Sequence, residues 1–264
     1  MIKRLFFLFT IFILPIFSYA EIKVSSLPNP NLFPIFIIEE KGFANLKFIP
    51  AVGDGSTLVG FIRSGKVDAV FFNYEAAEKL TKETGWIYAG STISKAVHII
   101  TKYKISAKGD LEGKKIVGSF RGGSPDILFR KLNLKTEPIF TDLQVAFQMF
   151  VNGDADAIFL PEPHVSNLLL RMRTMNREAF VYDIISLSGK DYRYPINATI
   201  VKNDEIKKVL KDALEKAVEF INSNPKEAIK IFEVKYKRYY NTNFPVEALS
   251  EAITSGRLRY LIDE

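Results

Sequence analysis

Apolar residues recur along this chain in two rhythms. Short runs at 22–24, 46–50, 69–72, 97–101, 116–118 and 197–201 are bounded by turn residues and read as strands. The run at 69–72 has no polar alternation, as a strand covered on both faces requires. Between the strands, apolar positions spaced three and four apart predict helices over 33–41, 56–64, 76–84, 124–132 and 143–151. Gly42 and Gly65 end two of them, and Ser56 or Thr57 is placed to cap the second. Thr141-Asp142 opens the helix at 143, while Ser124 followed by Pro125 supplies a hydroxyl cap and then proline at the first helical position. Beyond 204 the pattern is helical only, over 204–223, 225–237 and 245–261.

One phrase occurs twice. Gly65-Lys66-Val67-Asp68-Ala69-Val70-Phe71-Phe72 returns 88 positions later as Gly153-Asp154-Ala155-Asp156-Ala157-Ile158-Phe159-Leu160. Each copy follows an amphipathic segment and precedes polar punctuation, Asn73-Tyr74-Glu75 in the first and Pro161-Glu162-Pro163 in the second. The strands at 22 and 116 also lead alike, through an irregular loop, into a helix at Asn31 or Ser124. Alternating strands and helices repeated in this way imply an α/β protein of two doubly wound lobes with parallel sheets. Crossovers read near 101–109 and 194–201 place residues 21–101 and 198–264 in lobe one and 102–197 in lobe two, joined by a two-strand hinge. Paired lobes enclose a cleft suited to a small molecule.

Composition narrows the chemistry. A chain of 264 residues, 47% hydrophobic, can bury a sizeable core without disulfides, and it has no cysteine to make one. Cys-ligated zinc, thiol nucleophiles and Fe–S clusters are thereby excluded. Lys3-Arg4, an apolar run over 5–17 and the small-x-small exit Ser18-Tyr19-Ala20 have the anatomy of a cleaved secretory signal peptide at 1–20. No cysteine follows it to carry a lipid, which favours the periplasm. The formal charge of +6 is dispersed, so nucleic acid is not an expected partner. The one dense cluster, Lys235-Tyr236-Lys237-Arg238-Tyr239-Tyr240, reads as a solvated helix end.

Ligands of open parallel sheets sit beyond the carboxyl ends of strands, against helix N-termini. This places Asn31, Ser56, Thr57, Asn73, Tyr74, Arg121, Gly123, Ser124, Glu162 and His164 at the cleft. In Arg121-Gly122-Gly123-Ser124 two glycines permit close backbone approach, Ser124 donates a hydrogen bond and Arg121 offers a forked cation to an anionic group. Glu162, held between prolines, suits an amine, and Tyr74 suits the face of a flat ligand. His98, within an apolar strand, reads as structural. Motifs for nucleophilic hydrolysis, phosphate loops, dinucleotide binding and zinc proteases are missing, so neither an enzyme, a metal nor a cofactor is expected.

Several segments, in order, resemble a known group: Ile22-Lys23-Val24 with Pro28, Glu40-Lys41-Gly42-Phe43, Gly65-x-x-Asp68-Ala69, Leu111-Glu112-Gly113-Lys114-Lys115-Ile116, Gly123-Ser124-Pro125-Asp126 and Glu162-Pro163. Over about 22–240 the chain resembles the solute-binding proteins of ABC transporters that serve nitrate, taurine, alkanesulfonates and thiamine-precursor pyrimidines. The resemblance implies a type II periplasmic-binding fold, a small organic ligand trapped by hinge closure, a monomer, and a membrane permease as partner. It carries binding loops onto Asn31, Ser56-Thr57, Asn73-Tyr74, Gly123-Ser124 and Glu162. The chain has Pro161 where the family often has Trp before Glu-Pro, which removes a stacking surface. Two other readings use the same scaffold: an enzyme of the menaquinone-pathway type, and a sensory domain that passes its ligand to a receptor.

Overall fold

The computed structural model describes residues 21–189 and 195–263, so the leader expected at 1–20 lies outside the described residues. The elements run β1 (Ile22–Ser26), α1 (Leu32–Lys41), β2 (Leu46–Phe48), α2 (Gly55–Arg63), β3 (Ala69–Asn73), α3 (Tyr74–Thr84), β4 (Ile87–Lys95) and β5 (Val97–Thr101). They continue through β6 (Ile116–Gly118), α4 (Ser124–Lys131), β7 (Ile139–Phe140), α5 (Leu143–Asn152), β8 (Ala157–Pro161), α6 (His164–Thr174), β9 (Phe180–Asp183) and α7 (Ile184–Leu187). The chain closes with β10 (Asn197–Val201), α8 (Asp204–Ser223), α9 (Pro225–Tyr240), α10 (Val246–Thr254) and β11 (Arg259–Asp263).

Two sheets result. One has the order β11-β4-β10-β3-β1-β2 and the other β7-β6-β8-β5-β9. Each repeat phrase supplies a central strand, and its unbroken apolar run has a plain cause. In β3, Ala69 and Phe71 enter one hydrophobic cluster and Val70 and Phe72 another. In β8, Ala157 and Phe159 likewise part from Ile158 and Leu160. Both faces of each sheet are covered, so neither face of the strand is polar. The thickest layer lies over the first sheet, where Phe33 and Phe36 of α1 meet Phe232 of α9 edge-on or tilted at 5.2 and 5.5 Å.

The sheets are mixed, not wholly parallel as the alternation of elements predicted. β5 runs antiparallel to β8 and β9, and β10 antiparallel to β3 and β4. The reason is topological: both strands follow a passage between lobes and so enter their sheets from the opposite direction. Val97–Thr101, expected in lobe one, is a central strand of the second sheet, because β4 passes straight through Ala96 into β5. The forward crossing therefore precedes 97, and does not lie at 101–109. The returning strand is pinned by Asn197, whose side-chain oxygen accepts from Ser91 Oγ and from the Thr92 and Ile93 amides at 2.9–3.0 Å.

Other local expectations change with packing. The segment 245–261 is not one helix: α10 stops at Thr254, and β11 then pairs with β4. Asp54, not Ser56 or Thr57, caps α2 through the Ser56 amide at 2.9 Å. Gly123 occupies the cap position of α4, with Ser124 and Pro125 one place further inside. The basic–aromatic cluster is only in part a solvated end: Lys237 and Arg238 are exposed, but Lys235 is buried and paired with Glu39 and Glu40 at 2.9 and 3.0 Å. Tyr239 donates its hydroxyl to the same Glu39. No helix among the described residues is long and apolar enough to cross a membrane.

Candidate functional site

A cleft of about 480 Å³ opens between the sheets. Five helix N-termini reach it: Asn31 before α1, Gly55 of α2, Asn73 before α3, Gly123-Ser124 at α4 and His164 of α6. Each follows a strand whose carboxyl end points to the gap, which is why the strand-end rule found these places. The crossing residues Ile93, Ala96, Val97 and Ile196 also line it.

Six of the ten expected residues line this cleft: Asn31, Asn73, Gly123, Ser124, Glu162 and His164. The Asn31 amide donates to Asn29 Oδ1 at 2.9 Å, and its side chain makes no capping bond, which leaves the carboxamide to the cleft. Asn73 caps α3 by accepting from the Ala76 amide at 2.8 Å, so its NH2 group remains available to a ligand. Ser124 Oγ donates to the Ile196 carbonyl at 3.2 Å and ties α4 to the returning crossover. His164 stacks on Phe120 with centroids 5.4 Å apart and planes 22° off parallel. Burial lowers its pKa to about 4, so its ring is neutral at pH 7.

The remaining four do not line it. Ser56 donates its hydroxyl to Asp54 at 2.5 Å and Thr57 donates to the Val52 carbonyl at 3.0 Å, both outside the cleft wall that Gly55 forms. Tyr74 packs edge-on against Tyr88 at 6.1 Å and joins the apolar clusters. Arg121 lies over the Phe140 ring at 4.9 Å and does not line the cleft.

Glu162 is present but committed elsewhere. Its carboxylate accepts from the Ser166 amide and hydroxyl, each at 3.0 Å, and from Arg257 Nε at 2.9 Å. Burial pushes its pKa up, while the Ser166 bonds and Arg257 pull it back. Arg257 also bonds Ser166 Oγ at 3.0 Å and reaches Glu251 at 3.3 Å, and its carbonyl accepts from His98 Nε2 at 2.9 Å. Desolvation lowers the pKa of His98 to about 4. The amine anchor expected at Glu162 is thus filled by the protein's own guanidinium.

Sequence reasoning overlooked the aromatic surround. Phe71, Phe72, Phe120, Tyr236 and Phe244 all line the cleft, with Pro245 beside them. Phe120 stands directly before Arg121, but Tyr236 of α9 and Phe244 of the loop between α9 and α10 arrive from far along the chain and carry no local signal. Phe120 has φ 63°, a left-handed conformation that a bulky residue adopts only at a cost, and it is 45% exposed. Among the described residues no cluster of His, Asp or Glu could hold a metal ion.

No family model and no curated protein matches the chain. Solved structures do. An ABC transporter from Parabacteroides distasonis superposes with a TM-score of 0.69 at 17% identity, covering 91% of this chain and 86% of that one. The periplasmic aliphatic sulphonate binding protein of Escherichia coli gives 0.69 at 14% identity, with 93% and 86% covered. The chain has the fold of periplasmic binding proteins. A putative nitrate transport protein from Thermoplasma volcanium, at 0.56 and 17% identity over 92% and 85%, has the same architecture.

Proposed function

We propose that this chain is the exported solute-binding component of an ABC importer, which captures a small organic molecule between its lobes and presents it unchanged to a membrane permease. The observation that carries this reading is the cleft itself, where five helix N-termini, three asparagines and a set of aromatic rings converge between two sheets. The leader expected at 1–20 supports export to the periplasm, and the crossings near Ala96 and Ile196 support closure by hinge bending. The binding residues in this proposal are Asn31, Asn73, Gly123, Ser124 and His164, with the aromatic surround.

Two ligand classes fit the scaffold. Helix N-termini favour an acceptor-rich end such as a sulfonate, as in taurine. The rings favour a flat heteroaromatic, such as an aminated pyrimidine. The test is native mass spectrometry of freshly purified residues 21–264, joined to thermal shifts over a solute panel. A co-purifying small molecule, or a compound that raises the melting temperature by mass action, is expected. A protein that carries nothing and shifts with nothing sinks the proposal, and a bound compound recovered chemically altered would instead favour the enzyme alternative.

A further inference from the structure

Resting on that solute-binding reading, we propose that the cleft selects an uncharged, planar solute, an aromatic or heteroaromatic ring bearing an amide or imide edge, over sulfonates and other anions. The first ground is charge. No Lys or Arg lines the cleft among the described residues, and its one carboxylate, Glu162, is already paired with Arg257. An anion drawn into such a site leaves its hydration shell with no countercharge among the described residues, which is costly.

The second ground is that the helix ends are already answered from within. Asp54 accepts from the Ser56 amide at α2, Glu162 from the Ser166 amide at α6, and Asp126 from the Gly122 amide beside α4, at 2.8 to 3.0 Å. Asp126 is additionally paired with Arg130 at 2.7 Å. At α3 the Asn73 carboxamide takes the same role. Carboxylates set against three of the five N-termini offset the positive ends that would otherwise attract an anion.

The third ground is what is left. Asn31 and Asn73 offer neutral amide groups, and His164, with its pKa held near 4, offers a neutral ring. Amide-to-amide pairing with a carboxamide needs one donor and one acceptor side by side, which an asparagine supplies. Phe120, exposed at the mouth and held in an unfavourable backbone conformation, lies parallel to His164 as one face of a slot. Phe71, Phe72, Tyr236 and Phe244 complete an apolar lining that rewards a flat ligand through area removed from water.

The decisive experiment titrates the purified chain 21–264 with matched pairs: nicotinamide against nicotinate, benzamide against benzenesulfonate, and uracil against orotate, with taurine and nitrate alongside. At least one neutral member is expected to bind, with its anionic partner at least tenfold weaker and its affinity flat from pH 5 to 8. Phe120→Ala is expected to weaken that neutral ligand roughly tenfold, the worth of one good ring contact, without lowering the melting temperature of the empty protein. An anion that binds as tightly as its neutral partner overturns the inference while leaving the solute-binding reading intact. Failure of every neutral compound also overturns it, and if nothing co-purifies either, the solute-binding reading falls with it.

Discussion

The two copies of the repeated phrase build the same strand and turn, yet hand the cleft opposite kinds of group. In lobe one the strand ends at Asn73, which caps its helix with an uncharged oxygen and lines the gap as a neutral carboxamide. In lobe two it ends at Pro161, and the Glu162 that follows answers the first turn of its helix with a carboxylate that is paired with Arg257. The difference lies in what stands behind each strand end. The C-terminal segment, returning to the first sheet as β11, passes lobe two on the way: α10 packs on α6, and Glu251 binds Arg173 at 2.8 Å. Equal local patterns thus acquire unequal roles from non-local neighbours.

The comparison breaks most sharply at Arg257. Its removal leaves Glu162, whose side chain has no exposed surface, charged and unpaired. Arg257→Ala is expected to destabilise the protein by about 3–5 kcal/mol in urea unfolding, whereas adding Glu162→Gln to it recovers part of the loss. The corresponding lobe-one change, Asn73→Ala, removes only a cap worth about 1 kcal/mol. Equal losses would mean that the two ends are not different in kind.

Acid offers a second contrast, because both histidines, His98 and His164, sit in lobe two. Each has its pKa lowered from 6.5 to about 4 by burial. An imidazole with a depressed folded pKa binds its proton more readily when unfolded, so stability is whole above pH 6.5 and drains as pH falls toward 4. For His98 the loss amounts to up to roughly 3 kcal/mol by this linkage. The raised pKa of Glu162 acts in the opposite sense and offsets part of it. His98→Gln should flatten the melting-temperature difference between pH 7.5 and 4.5, and an unchanged difference would refute the assignment.

The smallest contrast is steric. A Cβ on Gly118 would stand 2.3 Å from Phe159 Cζ, and Phe159 is fully buried and stacked on Phe129 at 4.6 Å. Gly118→Ala is expected to cost about 1–3 kcal/mol, the usual range for overpacking. Gly55→Ala places its methyl 2.7 Å from Phe72, whose ring borders the cleft instead of being packed on every side. That change should cost less in thermal unfolding, and the reverse order would show that the lobe-one wall is the stiffer.

What the amino-acid order determined alone was the local and the periodic. Apolar runs marked β1, β2, β3, β5, β6 and β10, glycines marked helix ends, and the repeated phrase supplied β8 and pointed to two lobes with a gap between them, whereas β4, β7, β9 and β11 went unread. Those features depend on neighbours within one turn or one strand, so they are legible in a short window. The passage at Ala96 was misjudged because β4 and β5 form one nearly continuous extended segment, and only pairing shows to which sheet each belongs. Tertiary structure alone decided which polar groups the cleft presents. Glu162 meets Arg257 across 95 positions, Arg121 turns to Phe140, and Tyr236 and Phe244 reach the cleft from the far end of the chain. The physical reason is that charges and rings act through space at a few ångströms, and the sequence orders residues along a line.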